Sequence, residues 1–312
     1  MQYKKLGKTG LKVSRLGLGT AEIGFAYGIG QRPVPSDRQA EQLLKTALDF
    51  GINYFDTASM YCLAEERLGR FGVSGQPGVV VGTKCGSFLD KDTRLTTTEM
   101  ERQIREEIDL SRRNLHLDVL PLAQLHGGSK EQILNGEIAE IMQGLKTEGK
   151  IQHIGISTRG EEAACAAIES GYFDVIQVAL SILDQRMVKQ VLPLALENNV
   201  GVINRSALLK GALTDLVSSL PDQLGPLRVN SSKARKIAKE LICTLPALAL
   251  RFTLAEPAIS TTLIGTNKIH HLKAAWRAVD SGCLPEDFIT QLRDLAIEDP
   301  SQVDPARWPS LT

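Results

Sequence analysis

Four side chains in the first half of the sequence, Asp56, Tyr61, Lys84 and His126, are of the types that together can move a proton to or from an oxygen. A phenol is a weak acid near neutrality, but a neighbouring ammonium stabilises the phenolate and makes the phenol a usable proton donor. Lys84 would do this for Tyr61. A lysine kept charged in a partly buried place needs an anion, and Asp56 could supply it; removing one member of such a pair costs about 3–5 kcal/mol. His126 could hydrogen-bond and orient a carbonyl oxygen while negative charge develops on it. Taken singly, each has a plainer role: the Asp as a helix cap, the Lys with its stem along apolar surface, the His bonded to backbone. The conjunction, with Tyr61 five residues beyond Asp56, describes a proton-donating site.

Asp56, Lys84 and His126 each sit at or just beyond the end of a short apolar run. Such runs at 15–19, 53–56, 79–84, 119–125, 153–156, 175–178, 200–204 and 261–264 read as strands. Helical patterning falls at 36–51, 65–71, 98–114, 130–148, 160–170, 185–198, 232–254 and 268–281, with Pro246 expected to interrupt or kink the seventh. Alternation of this kind implies parallel strands joined by crossover helices. An open doubly wound sheet would alternate in the same way. The count of eight favours a (β/α)8 TIM barrel, one α/β domain over residues 1–312, with a β-hairpin at 4–6 and 11–13 capping one end. The length of 312 residues suits a barrel, which typically needs about 250 plus insertions. All three strand ends would then face one mouth. The irregular stretch 213–230, with Pro221, Gly225 and Pro226, follows the seventh strand and reads as a lid over cofactor or substrate.

Composition narrows the partners. Thirty-six basic and 36 acidic residues give no net charge and no basic block, so nucleic acid is not expected. No apolar run approaches the roughly 20 residues of a membrane span, and MetGlnTyrLysLys at the start lacks the apolar core of a secretory signal, so a cytoplasmic protein is expected. Five cysteines at 62, 85, 165, 243 and 283 have no paired spacing, which suits reduced thiols and suggests no metal site.

GlyLeuGlyThr (17–20), PheAspThrAla (55–58), Tyr61 with GluGluArgLeuGly (65–69), GlyThrLys (82–84), LeuHisGly (125–127) and GlyLysIleGlnHisIleGlyIleSer (149–157) resemble, in order and spacing, the motifs of the aldo-keto reductase family. The resemblance implies hydride transfer between a nicotinamide C4 and a carbonyl or alcohol carbon, with Tyr61 giving or taking the proton. It implies cofactor contacts at Thr20, Asp56, Ser157, Gln177, Arg205, Ser206, Leu208, Gly211, Gly265, Thr266 and Lys268, a small carbonyl or sugar substrate, and a monomer by default. Gly265 and Thr266 precede a helix whose N-terminal amides suit a phosphate. Lys268 and His271 favour NADP(H), with NAD(H) as the other possibility. Arg205 stands where much of the family has an aromatic ring, Thr158 where Asn is usual, Cys62 where Gly is common and Ala275 where Asn often meets adenine. The segments 82–86 and 259–266 are similar to the sugar-dehydrogenase-like branch. Other readings stay open: a NAD-dependent sugar dehydrogenase working oxidatively, a cofactor-binding redox-sensing module, and a lyase forming a Schiff base on Lys84.

Overall fold

Strands covered on both faces read as near-continuous apolar runs, and eight such runs form the centre of the molecule. A computed structural model describes residues 1–28, 33–91 and 95–309. After the antiparallel hairpin β1 (Tyr3–Lys5) and β2 (Lys12–Ser14) come β3 (Leu16–Gly19), β4 (Tyr54–Asp56), β5 (Val80–Cys85), β6 (Leu120–Leu125), β7 (Ile151–Ser157), β8 (Val175–Ala179), β9 (Gly201–Arg205) and β10 (Ile259–Gly265). Each of β3 to β9 pairs in parallel with the next, and β10 returns to β3, closing a barrel. The expected fold is therefore the observed one.

Register carries the candidate residues to one rim. Asp56 lies opposite both Gly19 and Gly82, Lys84 opposite Gln124, Ser157 opposite Gln177, Arg205 opposite Ala179, and Gly265 opposite Gly19. Inside the barrel, Tyr54 and Gln124 occupy the space left by Gly17, Gly82 and Gly155, where a Cβ would collide with their side chains. At the opposite rim Leu6 and Val13 of the hairpin join Tyr54, Val80, Leu122, Val175, Ile203 and Leu263 in a separate apolar plug.

The helices differ from the sequence reading in instructive ways. The segment 130–148 is two helices, Lys130–Asn135 and Glu137–Thr147, because Gly136 takes φ 84 and ends the first. The segment 232–254 is also two, Gly225–Glu240 and Leu245–Ala255. The expected interruption at Pro246 is present, as a break and not a kink: Pro246 lies in the first turn of the second helix, where its missing N–H is not needed, and Thr244 caps that turn by accepting from Ala247 N. The stretch 213–230 is not irregular either, since it holds 3-10 turns at Asp215–Ser219 and Asp222–Leu224 before the helix from Gly225. The segment 185–198 opens with a 3-10 turn, Arg186–Val188, ahead of the helix Val191–Glu197. Two short C-terminal helices, Glu286–Arg293 and Pro300–Val303, had no expected counterpart. No described helix is long and apolar enough to cross a membrane.

Candidate active site

The centre of the site is a buried ion pair. Lys84, 1 % exposed, places Nζ 2.5 Å from Asp56 Oδ1 and donates a second bond to Thr57 O at 2.9 Å. Burial alone would lower the Lys84 pKa, but the Asp56 carboxylate, joined by Tyr61 when it is ionised, outweighs it and holds the ammonium above its ordinary value. The other Asp56 oxygen accepts from Gln177 Nε2 at 2.6 Å, and Gln177 Oε1 in turn faces Ser157 Oγ at 3.4 Å. Two pairs of neighbouring strands, β4 with β5 and β7 with β8, thus share one polar network across the barrel mouth at their C-terminal ends.

Tyr61 stands on the loop above this pair, with Lys84 Nζ 5.2 Å from its ring centroid. His126, the first residue past β6, meets the Tyr61 ring edge-on at 5.9 Å. Burial, then the cations Lys84, Arg205 and Arg159, push the imidazole pKa down to about 3, so His126 is neutral at pH 7. Its Nδ1 is shut from solvent without a partner among the described residues, which leaves Nε2 as the nitrogen that can serve the cavity. Phenol and neutral imidazole side by side, over a fixed ammonium, are an arrangement able to donate two hydrogen bonds to one oxygen.

The loop bearing Tyr61 is held from several directions. Lys84 O accepts from Ser59 N at 3.0 Å, and Glu107 Oε2, on the helix Thr97–Leu115, accepts from both Ser59 Oγ (2.8 Å) and Gly86 N (2.9 Å). Gly24 lies so close to the Tyr61 carbonyl that any Cβ there would overlap it. Arg67, 4 % exposed, donates to Ile23 O, Pro35 O and Asp37, fastening the segment after β3 beside Phe25, which packs on Tyr61 at 5.7 Å. Cys62, next in sequence, is exposed and takes φ 47, a conformation rarely adopted by side-chain-bearing residues. Cys85 points the other way, buried beside Met142, and burial raises its pKa well above the ordinary thiol range.

A cavity of about 1010 Å3 opens over these groups and is lined by Thr20, Asp56, Tyr61, His126, Ser157, Gln177, Arg205, Ser206, Leu208, Gly211, Gly265 and His271. Lys84 lies beneath it. Thr266 and Lys268 stand outside the lining: Thr266 Oγ1 accepts from Lys268 N (3.0 Å) at the start of the helix Ile269–Asp280, and the Lys268 side chain is exposed. The sequence reading did not single out Tyr27, Asp90, Arg159, Lys210, Arg235 and Lys239, which also line the cavity. They lie on loops and on the helix Gly225–Glu240, where no strand-end pattern marks them. Arg67 had a visible signal, a charged residue inside the segment 65–69 otherwise assigned to a motif.

The model of the aldo/keto reductase family matches residues 15–297. This chain belongs to that family. The aldo-keto reductase is 29 % identical to L-galactose dehydrogenase of Arabidopsis thaliana, over 99 % of this chain and 98 % of the relative. It is 27 % identical to the NADH-specific methylglyoxal reductase of Escherichia coli, over 95 % and 98 % respectively. Among solved structures, the holo form of aldo-keto reductase AKR11C1 from Bacillus halodurans superposes with a TM-score of 0.75 at 25 % identity, covering 98 % of this chain and 99 % of that one. The protein is thus an oxidoreductase of a family that uses nicotinamide cofactors on carbonyl or sugar substrates.

Proposed function

We propose that Tyr61 is the general acid and base of the reaction, protonating a carbonyl oxygen during reduction and deprotonating an alcohol in the reverse direction. The observation that carries this reading is the buried Lys84–Asp56 pair directly under the Tyr61 ring. Lys84 stabilises the phenolate that remains after proton transfer, Asp56 keeps Lys84 charged, and His126 Nε2 orients the substrate oxygen. Gln177 and Thr57 O hold the relay still, so little reorganisation accompanies transfer.

The lining fits a nicotinamide dinucleotide. Gly19 and Gly265 lie side by side without side chains on the cavity wall, leaving room for a flat group, and Ser157 and Gln177 offer a donor and an acceptor for a carboxamide. Arg205, fixed by its bond to Thr158 O at 3.1 Å, presents a planar guanidinium for stacking. Ser206, Leu209 and Lys210, at φ 64, 43 and 51, curl the following loop past Leu208 and Gly211. The bound cofactor supplies or accepts hydride at the substrate carbon. Lys210 and Lys239 line the cavity, form no ion pair among the described residues, and together with His271 favour the extra phosphate of NADP(H) over NAD(H).

Consumption of NADPH and of NADH, followed with a panel of aldehydes and aldoses, tests the reading. Tyr61→Phe should lower kcat about 10²–10⁴-fold, the usual contribution of general acid catalysis, with cofactor affinity retained. A Tyr61→Phe protein as active as the parent would remove Tyr61 from the mechanism.

A further inference from the structure

Two cavity-lining residues that the proton relay does not use, Asp90 and Arg159, form an ion pair of 2.8 Å between Arg159 Nε and Asp90 Oδ2. Asp90 ends the 3-10 turn Ser87–Asp90 beyond β5, and Arg159 lies two residues beyond β7. The pair therefore spans the loop after β6, the one that carries His126. It is seated against that loop. Gly128 N donates to Asp90 Oδ1 at 3.4 Å, and Gly127 lacks a Cβ where one would fall inside the Asp90 carboxylate. Asp90 is a quarter exposed and Arg159 half exposed, so both are reachable from the cavity.

We infer that the Asp90–Arg159 pair reads hydroxyl groups on the carbon chain of the substrate, which makes a polyhydroxylated carbonyl compound, such as an aldose in its open form, the preferred substrate. The inference rests on the carbonyl–alcohol reading above and adds the substrate class to it. A hydroxyl both donates and accepts, and a carboxylate joined to a guanidinium offers the complementary acceptor and donors within one neutral unit. An alkyl aldehyde would strip water from both charges and give nothing back. A carboxylate or phosphate ester would meet the Asp90 anion as soon as it reached Arg159, and the guanidinium it needs is already paired. Tyr27, also on the cavity wall and edge-on to Phe25 at 5.5 Å, offers the apolar surface that the C–H face of a sugar requires.

Glyceraldehyde and propanal share a three-carbon skeleton and differ in their hydroxyls, and glyoxylate supplies a carboxylate. With NADPH, the ratio of kcat/KM for glyceraldehyde over propanal should fall roughly 10- to 100-fold in Arg159→Leu, the usual size of a lost hydrogen bond to a charged group. In Asp90→Asn the same ratio should fall, while glyoxylate over propanal rises, because the guanidinium has lost its internal anion. An unchanged glyceraldehyde ratio in both variants overturns the inference. A larger loss for glyoxylate than for glyceraldehyde in Arg159→Leu overturns it too, in favour of a carboxylate site. If the unaltered protein turns over none of the three with either cofactor, in either direction, the reductase reading itself has failed and the inference falls with it.

Discussion

His126 is a histidine that the protein keeps from titrating. Burial and three cations hold its pKa at about 3, against an ordinary value of 6.5. A folded-state pKa below the unfolded one means that the unfolded chain binds the proton first as pH falls. The stability conferred by the neutral imidazole is therefore complete above about pH 6.5, is lost progressively down to about pH 3, and is flat below that. At about 1.4 kcal/mol per pKa unit the loss amounts to a few kcal/mol. Urea midpoints measured from pH 7 to pH 4 should fall more steeply for the parent protein than for His126→Gln, whose side chain has no proton to gain; parallel profiles would mean that the imidazole titrates normally. The same neutrality suits the proposed role of hydrogen-bond donor to carbonyl oxygen, because a neutral donor would leave the transferable proton to Tyr61.

At the scale of elements, the helix Thr97–Leu115 reaches the chemistry through one side chain. Glu107 ties Ser59, on the Tyr61 loop, to Gly86, just past Lys84, so phenol and ammonium are held in register by a residue that touches neither. Glu107→Ala should lower kcat at least tenfold, while Glu107→Gln, which keeps an acceptor oxygen, should recover most of it; equal losses would point to charge rather than positioning. How far such relations can be read from sequence depends on where they lie. Asp56, Lys84 and His126 were legible because a barrel strand buried on both faces is an apolar run, and an ionisable residue at its end stands out. Glu107, Asp90 and Arg159 were not, since they lie on a helix and on connections beyond the strand ends and act on partners from other connections of the sheet, which no local pattern marks. The missed break in 130–148 had a local signal, Asn135 followed by Gly136, which marks a stop, while the interruption expected at Pro246 falls just ahead of it, where Thr244 marks the start of the second helix. Periodicity simply ran on across Gly136.

The whole molecule separates its two tasks by rim. The proposed chemistry occupies the C-terminal ends of the strands, while the hairpin plugs the other end with Leu6, which is wholly buried. Leu6→Ala should cost about 2–5 kcal/mol of unfolding free energy, read from denaturant midpoints, with KM unchanged; a comparable shift in KM would show the rims to be coupled. Closure itself joins distant parts of the chain. Leu16 to Gly19 pair with Thr262 to Gly265, Arg15 donates to Leu254 O and Ile259 O, and Ser260 Oγ donates to Lys5 O. Synthesis runs in one direction, so the first strand of the barrel leaves the ribosome some 240 residues before its last neighbour exists. Until residue 265 emerges, the nascent protein is an open sheet with free edges on β3 and β9, and its opening residues, the earliest made, are among the last to be satisfied. A chain released before Ile259 keeps both edges bare, the state in which strands pair with other molecules instead of their own.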